Sequence, residues 1–115
     1  MKRGEVYYAR LDPVEGSEQA GNRTVIIVSR NAINDPSTVV VAVPCTRYTT
    51  QRIYPSQVLL RAPDGGLDVD SVAMAEQVRA MDKRRFARPR GTLSGLAMAR
   101  LEQALLIALD LPGQV

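Results

Sequence analysis

The sequence predicts a mainly β domain: a small, strongly bent antiparallel barrel with one C-terminal helix packed on it. Three observations carry this prediction. Short β-branched runs recur between Gly4 and Met81, separated by polar stretches rich in Pro, Gly, Asn and Asp. One late run switches to the helical period. The length, 115 residues, suffices for one core but not two, so residues 1–115 are read as a single domain. With 45% apolar residues and no Trp, that core must come from Val, Leu, Ile and Ala.

Each element has its own signal. Gly4–Leu11, GEVYYARL, alternates, with Val6, Tyr8 and Arg10 on one side and Tyr7, Ala9 and Leu11 on the other. Asp12-Pro13 ends it, and the polar loop VEGSEQAGNR, Val14 to Arg23, follows. Thr24–Ser29 (TVIIVS) and Thr38–Val43 (TVVVAV) are continuous runs of the kind that form buried strands, the second closed by Pro44. Between them RNAINDPS is turn-like, with one helical turn at Asn31–Asn34. CTRYTTQRI is a strand end or an exposed loop, and Pro55–Arg61 carries another strand. Asp64-Gly65-Gly66 suits a hairpin. Ser71–Met81, SVAMAEQVRAM, fits helix or strand; the short strands around it favour two short strands. Ser94 caps a helix from Gly95 to Leu109, with Ala97, Leu101, Ala104, Leu105, Ala108 and Leu109 on one face and Met98 at its edge.

Composition narrows the chemistry. There is no His, which excludes imidazole metal sites and His-based acid–base catalysis. A single Cys excludes thiolate zinc sites and an internal disulfide, and fits a reducing cytosol. No apolar run approaches the ~18 residues of a membrane span, and Met1-Lys2-Arg3 leads into a strand pattern rather than a signal peptide. The net charge of +3 permits a polyanionic partner without requiring one.

Arg23 ends a loop directly before a buried strand. It is either a surface Arg or a fixed cation aimed at phosphate oxygens. Thr46, just past another buried strand, is a β-former or a hydroxyl at the mouth of a site. Glu18 and Gln19 are solvated loop residues unless Glu18 orients Arg23 or acts as a general base. Glu76 and Gln77 fit an exposed strand face. The run KRRFARPR, Lys83 to Arg90, is a solvated face or a phosphate-tracking strip, with Phe86 as stacking platform or core residue. DGGLDVD, Asp64 to Asp70, lacks the spacing of a calcium loop and reads as a turn. On these residues alone a nucleic-acid binder and a phosphoryl-transfer enzyme stand level.

Three ordered motifs resemble one family. RGEVYYARLDPVEGSEQAGNR before an apolar strand, VPCT at Val43–Thr46 and DSVAMAEQVRAMDKRR at Asp70–Arg85 resemble the signatures of the MazF/PemK toxin endoribonucleases. The resemblance implies an SH3-like barrel, CcdB/PemK-like, with a C-terminal helix, acting as a cytoplasmic homodimer. It implies metal- and cofactor-free cleavage of single-stranded mRNA at a short recognition sequence. The RNA's own 2′-hydroxyl would attack, leaving a 2′,3′-cyclic phosphate and a 5′-hydroxyl. A cognate antitoxin would mask the RNA groove, and DNA would be met only through the antitoxin complex. The catalytic Arg falls on Arg23, the catalytic Thr on Thr46 and the loop Glu on Glu18, the candidate base. Gln19, Asn22, Arg47 and Gln77 fall to RNA binding, with Arg79, Lys83 and Arg84. Members commonly carry Pro after the motif Arg, where this chain has Thr24, so entry into the strand is looser here. Two alternatives stay open: a CcdB-like gyrase poison that cuts no RNA, and a non-catalytic RNA-binding module.

Overall fold

The computed structural model describes residues 1–11, 15, 16, 18 and 21–113. Its strands are β1 (Glu5–Arg10), β2 (Asn22–Ile27), β3 (Val39–Arg47), β4 (Gln57–Leu60), β5 (Ser71–Met74), β6 (Arg79–Asp82) and β7 (Phe86–Thr92). Its helices are α1 (Asn31–Asn34) and α2 (Gly95–Ala108), with 3₁₀ turns at Asp64–Gly66, Ala75–Gln77 and Lys83–Arg85. The expected turn at Asp12-Pro13 and the site candidate Gln19 lie outside the described residues.

Every strand pair is antiparallel. β3 organises them. Along one edge it pairs first with β6, from Val39↔Asp82 to Ala42↔Arg79, and then with β5, from Cys45↔Ala73 to Arg47↔Ser71. The Ala75–Gln77 turn separates these partners and shifts the register by three residues. On its other edge β3 pairs with β2 as far as Val25↔Pro44. Five strands thus run β6-β3-β2-β1-β7, while β5 and β4 continue from the far half of β3. The result is an open, barrel-like sheet with α2 packed against β4. Ser71–Met81 divides into two strands as expected.

Pro44 does not close β3, which runs on to Arg47. A residue without an N–H is tolerated there because the partner on one edge is interrupted by the Ala75–Gln77 turn. β2 likewise begins earlier than expected, at Asn22.

Strand alternation produces two cores. Val6, Ile26, Val43 and Cys45 pack with Leu60, Ala73, Leu101 and Ala104. Tyr7, Ala9, Val25, Ile27, Val40, Ala42 and Met81 form the second. Both faces of β2 and β3 are therefore covered, which is why their sequences are continuous apolar runs rather than alternating ones. Phe86 joins the second core edge-on to Tyr7, with ring centroids 5.5 Å apart. That is packing, not a free stacking platform.

The Asp64-Gly65-Gly66 segment joins β4 and β5 in antiparallel register, but as a 3₁₀ turn within a longer connection rather than a tight hairpin. Gly65 and Gly66 have φ of 66° and 78°. A Cβ on Gly66 would overlap the Arg90 carbonyl oxygen, so the turn rests on the backbone of β7. Asp64 accepts from Ser94 N (2.8 Å) and Ser94 Oγ (2.7 Å), while Ser94 Oγ accepts from Ala97 N (3.2 Å). A carboxylate and a capping hydroxyl thus meet the positive end of α2. Leu109 departs from the expected apolar face. It is the C-cap residue and half exposed, because the helix ends before it.

The acids of the DGGLDVD segment are engaged separately: Asp64 with α2, Asp68 with Arg90, and Asp70 with Arg61 at 2.8 Å and Ala62 N at 2.9 Å. These contacts hold Asp70 below the usual carboxylate range, the Arg61 hydrogen bond first and the Ala62 amide second. Among the described residues, no helix is long and apolar enough to cross a membrane.

Candidate active site

The site forms where β2 and β3 part. Their register runs Ile27↔Ala42, Ile26↔Val43, Val25↔Pro44 and ends there, with Arg23 and Thr46 each two residues beyond its last pair. Beyond Pro44 the β2–β3 ladder ends, while on its other edge β3 pairs with β5. The strand ends therefore open instead of continuing a packed ladder. A cleft of about 150 Å³ occupies the opening, lined by Tyr8, Asn22, Arg23, Thr24, Cys45, Thr46, Arg47, Val69 and Ser71.

Arg23 sits inside β2, paired across to Ala9, rather than at the loose end of a loop. Its backbone is held by the ladder while its side chain stays exposed. Thr46 is half-buried on β3, with Val72 of β5 opposite it on the other edge. A permanent cation and a hydroxyl thus stand on adjacent strands, neither needing a mobile segment to hold it. Cys45 forms part of the wall, but burial pushes its thiol up to about 12. It is a packing residue there, not a nucleophile.

A second cleft, about 220 Å³, opens beside Pro44 and is lined by Glu18, Glu76, Gln77, Val78 and Arg79. Pro44 lies two residues from Thr46 on the same face of β3. Glu18 Oε1 accepts from Glu15 N (3.2 Å), which turns the carboxylate toward its own loop. Gln77 Nε2 lies 3.8 Å from Met74 Sδ, and Arg79 donates to the Leu11 carbonyl at 3.5 Å. Glu76 accepts from Gln57 at 2.7 Å.

The structure therefore gathers Arg23, Thr46, Asn22 and Arg47 in one cleft, and Glu18, Gln77 and Arg79 in its neighbour. It does not bring Lys83 and Arg84 to either. Lys83 N donates to Thr38 O at the opposite end of β3, and Lys83 Nζ donates to Asn34 O at 2.5 Å. Arg84 forks onto Asp82, at 3.0 and 3.1 Å. This pairing holds the Asp82 carboxyl below its usual range, the Arg84 side chain contributing most and its backbone N–H next.

Three lining residues carried no signal in the sequence. Tyr8 shares a strand face with Val6 and Arg10, a pattern that assigns it no site role; Val6 is buried and Tyr8 is 42% exposed. Ser71 and Val69 enter only because β5 pairs with the far half of β3.

Residues 2–109 match the model of the family described as PemK-like, MazF-like toxin of type II toxin–antitoxin system. The chain belongs to that family. It is similar to the endoribonuclease MazF9 of Mycobacterium tuberculosis, 40% identical over 96% of this chain and 98% of that protein. The fold superposes on a MazF of Deinococcus radiodurans with a TM-score of 0.83 at 27% identity, covering 96% of this chain and 97% of that one. It also superposes on a mycobacterial endoribonuclease solved with its cognate antitoxin, with a TM-score of 0.81 at 28% identity over 97% of each chain. The MazF-like fold thus spans nearly the whole chain, and Arg23 and Thr46 line one cleft beside the end of the β2–β3 ladder.

Proposed function

We propose that this toxin is an endoribonuclease that cuts single-stranded mRNA in the Arg23–Thr46 cleft without a metal or cofactor. The observation that carries the reading is that Arg23 of β2 and Thr46 of β3 line one open cleft. The RNA 2′-oxygen attacks phosphorus, the P–O5′ bond breaks, and a 2′,3′-cyclic phosphate and a 5′-hydroxyl result. The 2′ proton goes to a base, for which Glu18 in the adjoining cleft is the candidate, and the departing 5′-oxygen takes up a proton. Arg23 neutralises charge growing on the phosphoryl oxygens and hydrogen-bonds the leaving oxygen, a role suited to a guanidinium that does not deprotonate. Thr46 hydrogen-bonds the phosphate and aligns it for in-line attack. A nuclease without His is workable because the substrate brings its own nucleophile, and the same requirement restricts cleavage to RNA.

The partners proposed are a second copy of the chain and a cognate antitoxin, in the cytoplasm where mRNA is translated. Support comes from the family and from the antitoxin-bound mycobacterial neighbour. The test is incubation with a long single-stranded RNA in EDTA, with cut sites mapped by primer extension. Discrete cuts by the wild type, lost in Arg23→Ala, are expected. Intact RNA, or equal cutting by Arg23→Ala, overturns the reading.

A further inference from the structure

A larger cleft, about 400 Å³, is lined by Tyr8, Gly66, Ala87, Arg88, Pro89 and Arg90. It lies over the β1–β7 edge of the sheet and shares one residue, Tyr8, with the Arg23–Thr46 cleft. Three features set it apart from an ordinary surface hollow. Tyr8 is 42% exposed although Val6, on the same strand face, is fully buried. Arg88 is exposed, and its guanidinium makes no hydrogen bond or ion pair among the described residues. Arg90 pairs with Asp68 through one terminal nitrogen, while its Nε is buried with no acceptor among the described residues. A buried donor left without an acceptor is costly.

We propose that this cleft is a second nucleotide subsite, which carries single-stranded RNA from the Arg23–Thr46 cleft onto β7, with Tyr8 as the stacking surface between the two and Arg88 as a phosphate contact. An aromatic ring beside an exposed guanidinium is the combination that holds single strands: the ring accepts any base face and the cation contacts the backbone. The rigid support is also present. Tyr8 is held in register against Thr24, and the turn at Gly66 rests on the backbone of β7 at Arg90. The subsite deepens the endoribonuclease reading and rests on it for the direction of the RNA.

The test uses a length ladder of single-stranded RNA bearing 2′-fluoro in place of the 2′-hydroxyl, so that binding is read without cleavage. Affinity should step up once the RNA is long enough to reach β7. In Tyr8→Ala that step should shrink about tenfold, the scale of one lost base–aromatic stack, and Tyr8→Phe should restore it. In Arg88→Ala the slope of log affinity against log salt should become shallower by about 0.7, one phosphate contact on a single strand. Equal losses at every RNA length, or no loss in either variant, overturn the subsite. A wild type that shows the Tyr8-dependent step yet leaves ordinary RNA intact removes the cleavage reading and keeps the subsite. A wild type that cuts RNA with a length dependence indifferent to Tyr8 and Arg88 does the reverse.

Discussion

The two ends of β3 carry basic residues in opposite circumstances. At the Arg47 end, Arg23 and Arg47 arrive from different strands and converge on an open cleft. At the Val39 end, Lys83 and Arg84 are neighbours in the sequence, and each is tied to a local acceptor, Asn34 O and Asp82. The contrast is instructive because the sequence points the other way. Charge density favours Lys83–Arg90, a solvated face or a phosphate-tracking strip, whereas Arg23 stands alone as a surface Arg or a fixed cation. Charge density along a chain does not measure charge available to a ligand. What counts is where the fold places each cation.

The sharpest way to break this comparison is to remove a cation from each end. Arg23→Ala should lower RNA cleavage by about a hundred- to a thousandfold, the scale of losing one preorganised charge-stabilising donor. Its melting temperature should stay near wild type, because Arg23 is exposed. Thr46→Ala should cost about tenfold, one neutral hydrogen bond to the transition state, with Thr46→Ser recovering most of it. Lys83→Ala and Arg84→Ala should change cleavage less than about threefold, as removal of exposed charges away from the chemistry usually does. Comparable losses from Arg84→Ala and Arg23→Ala would make the two ends equivalent and defeat the comparison.

Smaller effects sharpen it. The Asp82 carboxyl has a folded pKa below its unfolded value of about 4. Its stabilising contribution is therefore present above about pH 4 and lost as pH falls through the folded pKa. Denaturation midpoints followed from about pH 5 to about pH 2 should fall less steeply in Asp82→Asn than in wild type. At the cleft end, Cys45 should stay unlabelled by thiol reagents at about pH 8 in the native protein and react once the chain unfolds, because burial raises its pKa. Rapid native labelling would show that the wall of the Arg23 cleft opens.

Much of the architecture was legible residue by residue. The capped helix, the paired strands of Ser71–Met81 and the turn at Asn31–Asn34 each carry a local signal, and each formed. The misreadings share one cause. Pro44 looked like a strand end, Gly65-Gly66 like a tight hairpin turn, and Leu109 like a core residue. In each case a tertiary neighbour decided: the interrupted partner strand beside Pro44, the β7 backbone beneath Gly66, and the early end of α2 before Leu109. The site was half legible. The motif residues Arg23 and Thr46 could be named, but Tyr8 could not, because alternation places it on a face with both Val6 and Arg10 and carries no information about a neighbouring cleft.

By itself the sequence determined which chemistry is possible. Without His and with one Cys, hydrolytic chemistry must rest on carboxylates, Arg, Lys, Tyr, Ser or Thr, and its period-two and helical runs specify a β domain with one helix. Only the tertiary structure decided where those groups meet. Residues 23 and 46 come to line one cleft because they lie just past the end of the β2–β3 ladder at Val25↔Pro44, where β3 exchanges β6 for β5 on its other edge. Periodicity is a local property of the backbone, written in adjacent residues. Register between strands, and the bend where a strand changes partners, depend on how distant segments share one core, and no short stretch of the chain encodes them.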